Sequence, residues 1–401
     1  SGGHASGRRT PVRAVGAAST GRQCAVGGVG GARLAAVRVA LTLVQCWHRV
    51  PGGTARAAVA LAGALVARGD VEVVGVGARQ ADGVPPPFTP PVPVRHLPLP
   101  YQALYDVWQR TPWFGPESVT GPVDVVHVTA PTVPSRTRAP MVVTLHDVFP
   151  VLDPEVLTPR GARLMQRGIE LARTRADLVC CSSTQTLEDC VALGFERDRL
   201  RLVPLGVAPP ATVDAAAVAA VRSRHRLERP YVLWVGTIEP RKNLPVLLDA
   251  FRRADLGEVD LVLVGPEGWD TELAPRLEPL GDRARTLGFV ADDELAALYA
   301  GAELFALPSR REGFGLPALE AMAQGTAVVG AAGTAVAEVV DDAGMLVDPA
   351  DVDAWAEALS ALLADPDRRA ALGRAGRERA ATFTWERTAE LTVAAYREVL
   401  R

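Results

Sequence analysis

PSRREGFGLPALEAMAQGT, residues 308–326, carries the densest set of signals in the chain. Pro317 stands where the first residue of a helix belongs and Gly325 where the residue just past its end belongs. The string therefore predicts a helix of about two turns, Pro317 to Gln324. Ahead of it, Gly313-Phe314-Gly315 gives a bare, permissive backbone. The amides of Gly315, Leu316 and the first turn have no partner inside the helix. With the helix dipole they make a site for an anion such as a diphosphate. Glu320, read as lying in the first turn, and Glu312, just before the loop, are placed to face one pocket. Carboxylates accept hydrogen bonds from vicinal hydroxyls and so suit sugar or ribose rings better than phosphate. Two glutamates at this spacing mean little alone, because helix starts favour acids anyway. Glycine loop, proline start and both acids together form a far narrower pattern.

The flanks of this string set the architecture. Leu304–Leu307 before it and Ala327–Val329 after it are short apolar runs of strand type, as are Tyr231–Val235, Leu261–Val264, Arg285–Leu287 and Met345–Val347. Helical stretches separate them. The first half repeats the pattern with Val39–Cys46, Val71–Val76, Val123–Val128, Met141–Leu145, Asp177–Cys181 and Arg199–Val203. Helices are predicted at Thr54–Arg68 with Thr54 as cap, at Pro159–Arg175 and at Ser183–Leu193. Continuous apolar strands alternating with helices argue parallel sheets buried on both faces. Proline and glycine punctuation at PLGVAPPATVD, residues 204–214, reads as an interdomain linker. The fold class is thus α/β: two Rossmann-like, doubly wound parallel-sheet domains facing a cleft, with ligands expected beyond the carboxyl ends of the strands. Residues 81–100 are proline-rich and read as a stiff surface loop.

Composition bounds the rest. The 401 residues are 48% apolar and 22% charged, ordinary globular values that exclude wholesale disorder. With 43 Lys+Arg against 46 Asp+Glu, the net charge of −3 does not suit a bulk nucleic-acid binder. The longest clean apolar run, Ala57 to Ala67, falls far short of the roughly 20 residues of a membrane span. Five cysteines without a CxxC pair, and six scattered histidines, point to reduced thiols in a cytoplasmic setting and to no structural zinc. No Asp or Glu precedes Asp70, and residues 1–37 hold Arg8, Arg9, Arg13, Arg22 and Arg33 among many Gly, Ala and Ser. That segment reads as a disordered leader, with a transit or export segment as the alternative.

The remaining candidates all sit at strand-to-helix turns. VGTIEPRKN, residues 235–243, brings Arg241 and Lys242 to such a turn, where adjacent cations can neutralise a diphosphate without a metal. Pro51-Gly52-Gly53 forms another, with two glycines that permit close backbone approach to a phosphate. His146, in MVVTLHDVFP, ends a predicted strand, with Asp147 beside it to orient the ring. His127, in VDVVHVTA, is also at a strand end, where lining the cleft and filling the core are both open. His48 precedes the glycine turn.

VGTIEPRKN, LVLVGPEGW (261–269), LGFVADDELAALYAGAELFALPS (287–309) and REGFGLPALEAMAQGTAVV (311–329) together resemble the donor domain of family 4 retaining glycosyltransferases, enzymes of the GT-B fold. The likeness runs from about Arg38 to Arg401. It implies an N-terminal acceptor domain over 38–206 and a nucleotide-sugar donor domain over 207–382. FTWERTAELTVAAYREVL (383–400) resembles the family's last helix, which crosses back to the N-terminal domain over 383–401. By the resemblance, Glu312 contacts the donor sugar, Glu320 the ribose, and the backbone around Phe314, Gly315 and Leu316 the sugar and phosphate. Arg241 and Lys242 meet the diphosphate, Gly52 and Gly53 the donor phosphate, Gly288 to Val290 the nucleobase, and His146 the donor sugar. Many members carry a further arginine where this chain has Thr237. The VGTxEPRKN form is familiar in a branch that includes many mannosyltransferases.

The resemblance implies transfer of a hexose, mannose favoured, from a nucleotide-diphosphate sugar to a hydroxyl of a glycan or glycolipid, with retention by front-face attack. Neither a metal nor any other cofactor is expected, and no DxD pair stands in a strand-end loop suited to Mg²⁺. Helix 159–175 carries Arg160, Arg163, Arg167, Arg173 and Arg175 against Glu170, which suggests peripheral contact with anionic lipid, a solvated basic face being the alternative. A non-catalytic nucleotide-sugar-binding subunit on the same fold is the other functional reading. A dinucleotide-dependent oxidoreductase is disfavoured because VPGGTARA, residues 50–57, lacks the GxGxxG spacing.

Overall fold

Valine- and leucine-rich segments that alternate with helices form two all-parallel sheets in the computed structural model. It describes residues 36–48, 51–80, 88–134, 136–154, 157–209, 213–254, 256–266, 268 and 273–401. The first sheet comprises β1 (Val37–Thr42), β2 (Val71–Gly77), β3 (Val94–His96), β4 (Val125–Val128), β5 (Met141–Leu145), β6 (Leu178–Cys181) and β7 (Leu200–Leu202), in the order β3-β2-β1-β4-β5-β6-β7. Around it lie α1 (Gly52–Arg68), α2 (Tyr101–Arg110), α3 (Glu117–Thr120), α4 (Phe149–Leu152), α5 (Pro159–Arg175) and α6 (Thr184–Ala192). β4 and β5 are buried along their whole length, as strands covered on both faces must be.

After α7 (Ala215–Arg224) the second sheet runs through β8 (Tyr231–Val235), α8 (Leu244–Arg253), β9 (Asp260–Val264), α9 (Leu273–Leu277), β10 (Ala284–Gly288), α10 (Asp292–Ala300) and β11 (Leu304–Leu307). It continues with α11 (Leu316–Gln324), β12 (Val328–Ala331), α12 (Ala335–Val340), β13 (Met345–Val347), α13 (Val352–Ala364) and α14 (Pro366–Ala380). Its order is β10-β9-β8-β11-β12-β13. Each sheet therefore reverses direction once, between β1 and β4 and between β8 and β11. Such switch points open a crevice beyond the strand ends.

The chain ends on α15 (Trp385–Val399), which packs on α1 of the first sheet. Ala389, Val393 and Tyr396 of α15 share a buried cluster with Val39, Leu41, Ala58 and Leu65. Val207 donates its amide to Phe383 O at 3.0 Å, so the segment leaving the first sheet lies beside the segment that returns to it.

Some expectations shift. The first strand ends at Thr42, and Val44–Trp47 is a tight 3-10 turn rather than more strand. The helix placed at Thr54–Arg68 begins at Gly52, so Thr54 lies inside the first turn and its hydroxyl caps nothing. The proline-rich stretch 81–100 contains β3, whose register is set against Gly75–Gly77. Most of the leader assigned to 1–37 lies outside the described residues, and Val37, its last residue, already pairs with Val71.

Candidate active site

The two switch points face one cavity of about 700 Å³, lined by both sheets' strand-end loops. From the first sheet come Gly52, Gly53, Arg56 and His146; from the second come Arg241, Lys242, Val290, Glu312, Phe314, Gly315, Leu316 and Glu320. Gly52 has φ 65°, a left-handed conformation that a side chain would strain, and it opens α1 with its first-turn amides toward the cavity. Gly315 does the same for α11. At φ 104° it is the residue before the helix, and no side chain caps the amides that follow. Because Gly315 takes that place, the helix starts at Leu316, one residue earlier than Pro317. Glu320 consequently sits in the second turn, not the first.

The basic pair is not free. Lys242 Nζ lies 2.7 Å from Glu312 Oε1, which also accepts from Ser309 Oγ at 2.7 Å. Arg241 reaches Glu312 Oε2 at 3.4 Å and Glu239 Oε1 at 2.9 Å, and its guanidinium lies 4.9 Å from the Phe149 ring centre. Asn243, left-handed at φ 56°, donates to Pro308 O at 3.0 Å and Pro349 O at 2.7 Å. This ties the basic turn to the loop that carries Glu312. Burial pushes Lys242 down against the pull of Glu312, and Glu312 is itself held below its usual value because Lys242 and Arg241 outweigh its own burial. Arg241 is held in its charged form by Glu312, Glu239 and Asp147, which outweigh its burial.

His146 sits where the domains touch. Its carbonyl accepts from Ser182 Oγ at 3.0 Å and Thr186 Oγ1 at 2.8 Å, and the same hydroxyls reach Gly313 O at 3.0 and 3.3 Å. A Cβ on Gly313 would fall 2.2 Å from His146 O, so only glycine lets the two loops meet. Burial lowers the His146 pKa to about 4, leaving a neutral ring whose buried Nδ1 has no hydrogen-bond partner. Asp147 does not orient that ring. It accepts from the Phe149 amide, and burial pushes its pKa to about 6 although Arg241 pulls it down.

At the other end Glu320 accepts from Tyr299 OH at 3.0 Å, and burial raises its pKa despite nearby Arg56. Arg56, from the first turns of α1, lines the cavity and pairs across the domains with Asp292. It is the third cation on the wall beside Arg241 and Lys242, and Thr237 supplies none at its own position. Val290 and the exposed Phe289 also line the cavity, whereas Gly288 does not and instead accepts the Gly265 amide at 2.8 Å. The sequence reading missed Arg56, Glu239 and Tyr299. Arg56 meets Asp292 only across the domains and Tyr299 meets Glu320 21 positions along the chain, so neither leaves a local signal, though Glu239 stands two residues from Arg241 in the same turn.

The other histidines divide. His48 lines the cavity with Nε2 2.7 Å from Tyr105 OH, and burial lowers its pKa to about 4. His127 is wholly buried between Tyr396 OH at 2.6 Å and Thr144 Oγ1 at 2.8 Å, away from the cavity. Among the described residues, no group of three or more His, Cys, Asp or Glu is placed to hold a metal ion. Among them, too, no helix is long and apolar enough to cross a membrane.

Residues 52–206 match the "Glycosyl transferase 4-like domain" family and residues 219–379 the "Glycosyl transferases group 1" family. Over 266 residues the chain is 35% identical to the O-antigen chain mannosyltransferase B of Escherichia coli, covering 64% of this chain and 70% of that protein. It is 36% identical over 287 residues to the D-inositol 3-phosphate glycosyltransferase of Xylanimonas cellulosilytica, covering 66% and 68%. HepE from Anabaena, solved in complex with UDP and glucose, superposes with a TM-score of 0.71 over 90% of this chain and 100% of its own, at 19% identity. The fold is GT-B, and the chain belongs to the group 1 glycosyl transferases.

Proposed function

We propose that this glycosyltransferase moves a hexose, mannose in the favoured case, from a nucleotide-diphosphate sugar to a hydroxyl of a glycan or glycolipid, with retention of anomeric configuration. One observation carries the reading. Two uncapped helix starts, the pair Arg241–Lys242 and the acids Glu312 and Glu320 converge on one cavity. The favoured sugar follows from the similarity to a mannosyltransferase and from the VGTIEPRKN turn.

In the proposed reaction the anomeric carbon–oxygen bond to the diphosphate breaks while the acceptor oxygen bonds the same carbon from the same face. The acceptor's proton passes to the departing phosphate oxygen. Negative charge building on that oxygen is opposed by Lys242, Arg241 and the amides at Gly52–Gly53 and Gly315–Leu316. Such preorganised donors each contribute on the order of 3 kcal/mol to lowering the barrier. Glu312 and Glu239 hold the two cations in place before substrate arrives and share them afterwards. Neutral His146 offers its unpartnered Nδ1 to a hexose hydroxyl. Glu320, fixed by Tyr299, receives the ribose hydroxyls, and Phe289 and Val290 meet the base.

The test is a thermal-shift and hydrolysis screen across GDP- and UDP-sugars, with the product's anomeric configuration read by NMR. A donor that stabilises the protein and yields a retained product supports the reading; no stabilisation by any nucleotide sugar, or inversion, refutes it. Activity is expected to survive excess EDTA, and loss that Mg²⁺ or Mn²⁺ restores would refute the metal-independent mechanism.

A further inference from the structure

We propose that the surface built by the α2–α3 loop and the N-terminal two-thirds of α5 is a docking face for an anionic lipid bilayer. The loop reads TPWFGP, residues 111–116. It presents Trp113 at 64% exposure and Phe114 at 37%. These rings are not loosely held. Trp108 Nε1, at the end of a buried side chain, donates to Phe114 O at 2.8 Å and pins the loop to α2. Phe114 itself takes φ 55°, a left-handed conformation uncommon for a bulky residue. A backbone fixed in this way to hold two aromatic rings in water calls for an occupant other than water.

The surroundings say which. Arg110 ends α2 just before the loop, and the Arg136–Arg138 segment runs beside it. A Cβ on Gly115 would lie 3.3 Å from Arg136 O, and Glu117 of α3 accepts from the amides of Arg138 and Ala139. α5 abuts the same helix, since Gln109 Nε2 donates to Leu164 O at 2.7 Å and Arg160 pairs with Asp106 at 2.8 Å. Arg160, Arg163 and Arg167 are exposed along one side of α5, while Ala162, Ile169 and Ala172 are buried on the other. Six arginines thus lie on α2 and the segments packed against it and its loop, which carries two exposed aromatics. The neighbouring acids are engaged, Asp106 by Arg160 and Glu117 by backbone amides. Aromatic rings at the headgroup level with arginines reaching lipid phosphates is the arrangement of an interfacial anchor. The Arg160–Asp106 pair is exposed, so exchanging it for a phosphate costs little.

The face also borders the cleft. Gln166 of α5 donates to Pro150 O at 3.0 Å, close after His146 and Asp147, and Asp153 pairs with Arg311 from the loop of Glu312. A lipid-borne acceptor lying in the bilayer would stand beside the cavity mouth. The docking itself rests on the surface alone and not on the proposed sugar transfer.

The test is co-sedimentation of the full chain with vesicles of phosphatidylcholine alone and with one quarter phosphatidylglycerol, at low and high salt. Binding is expected to the anionic vesicles and to fall with salt. Each arginine near an anionic surface strengthens attachment about fivefold, so Arg160→Gln/Arg163→Gln/Arg167→Gln together should weaken it roughly a hundredfold. Trp113→Ala/Phe114→Ala should weaken it at least tenfold and should do so at high salt as well. Both variants should keep the wild-type melting temperature and nucleotide-sugar affinity, which separates failure of the surface from failure of the site. Equal binding to both vesicle types, no binding to either, or variants that bind like the wild type would overturn the proposal.

Discussion

The carboxylates on the cavity wall outnumber its cations. Asp147, Glu239, Glu312 and Glu320 face Arg56, Arg241 and Lys242, so a fully ionised wall would repel the diphosphate it is proposed to hold. Asp147 resolves the conflict, since burial has pushed its pKa to about 6 while Arg241, Glu312 and Glu239 surround it. An anion entering beside it favours the protonated form. Affinity for a nucleotide sugar is therefore expected to rise as pH falls through about 6, with uptake of a proton detectable by calorimetry in buffers of different ionisation enthalpy. Asp147→Asn should flatten that dependence; a flat wild-type profile would contradict the account. Glu320 acts at the same scale. Its carboxylate is held by Tyr299 and aimed into the cavity, and Glu320→Ala is expected to weaken GDP or UDP binding by ten- to a hundredfold. That range corresponds to losing one or two charge-assisted hydrogen bonds, about 1.5–3 kcal/mol. Unchanged affinity in a calorimeter would remove Glu320 from the site.

Among the elements, the glycine loop before α11 has the least freedom. A methyl group on Gly313 would meet the His146 carbonyl at 2.2 Å, a backbone contact that cannot rotate away. Gly313→Ala is expected to separate the two loops and to lower kcat/KM by at least tenfold. Far-ultraviolet circular dichroism should remain that of the wild type. Wild-type kinetics would show that the loops tolerate a gap. The element level is also where sequence was most informative. β5, β8 and β11 fall on their predicted spans because valine and leucine runs covered on both faces leave no other reading, and β13 does so although its Leu346 is exposed at the sheet's edge. β3 and α2 escaped notice because prolines dominate the stretch around one, and the other is a short amphipathic helix that opens after Pro100. The site residues on a single turn were legible from that turn. Arg56 and His127 were not, because their surroundings come from residues far along the chain: Asp292 lies 236 positions from Arg56, and Tyr396 lies 269 from His127.

Across the whole molecule, several contacts hold the two sheets together. Glu338 of α12 accepts from the amides of Thr184 and Gln185 at 2.8 and 2.7 Å, so one domain's carboxylate caps α6 of the other. Arg56–Asp292 and Arg311–Asp153 add ion pairs. The strongest tie is α15. Tyr396 OH and Thr144 satisfy both nitrogens of buried His127. Tyr396→Phe would strand one of them, at a cost of about 1–3 kcal/mol. The expected result is a lower urea midpoint with an unchanged slope, and an unaltered midpoint would mean that the histidine finds another partner.

That helix imposes an order on biosynthesis. The ribosome releases β1, α1 and β4 long before Tyr396 emerges, yet the apolar groove over α1 stays uncovered until it does. The amino-terminal half must therefore wait, incompletely packed, until α15 is translated. A chain stalled or clipped before Trp385 would leave that groove open to chaperones or to a neighbouring nascent chain, even with every cavity residue already made.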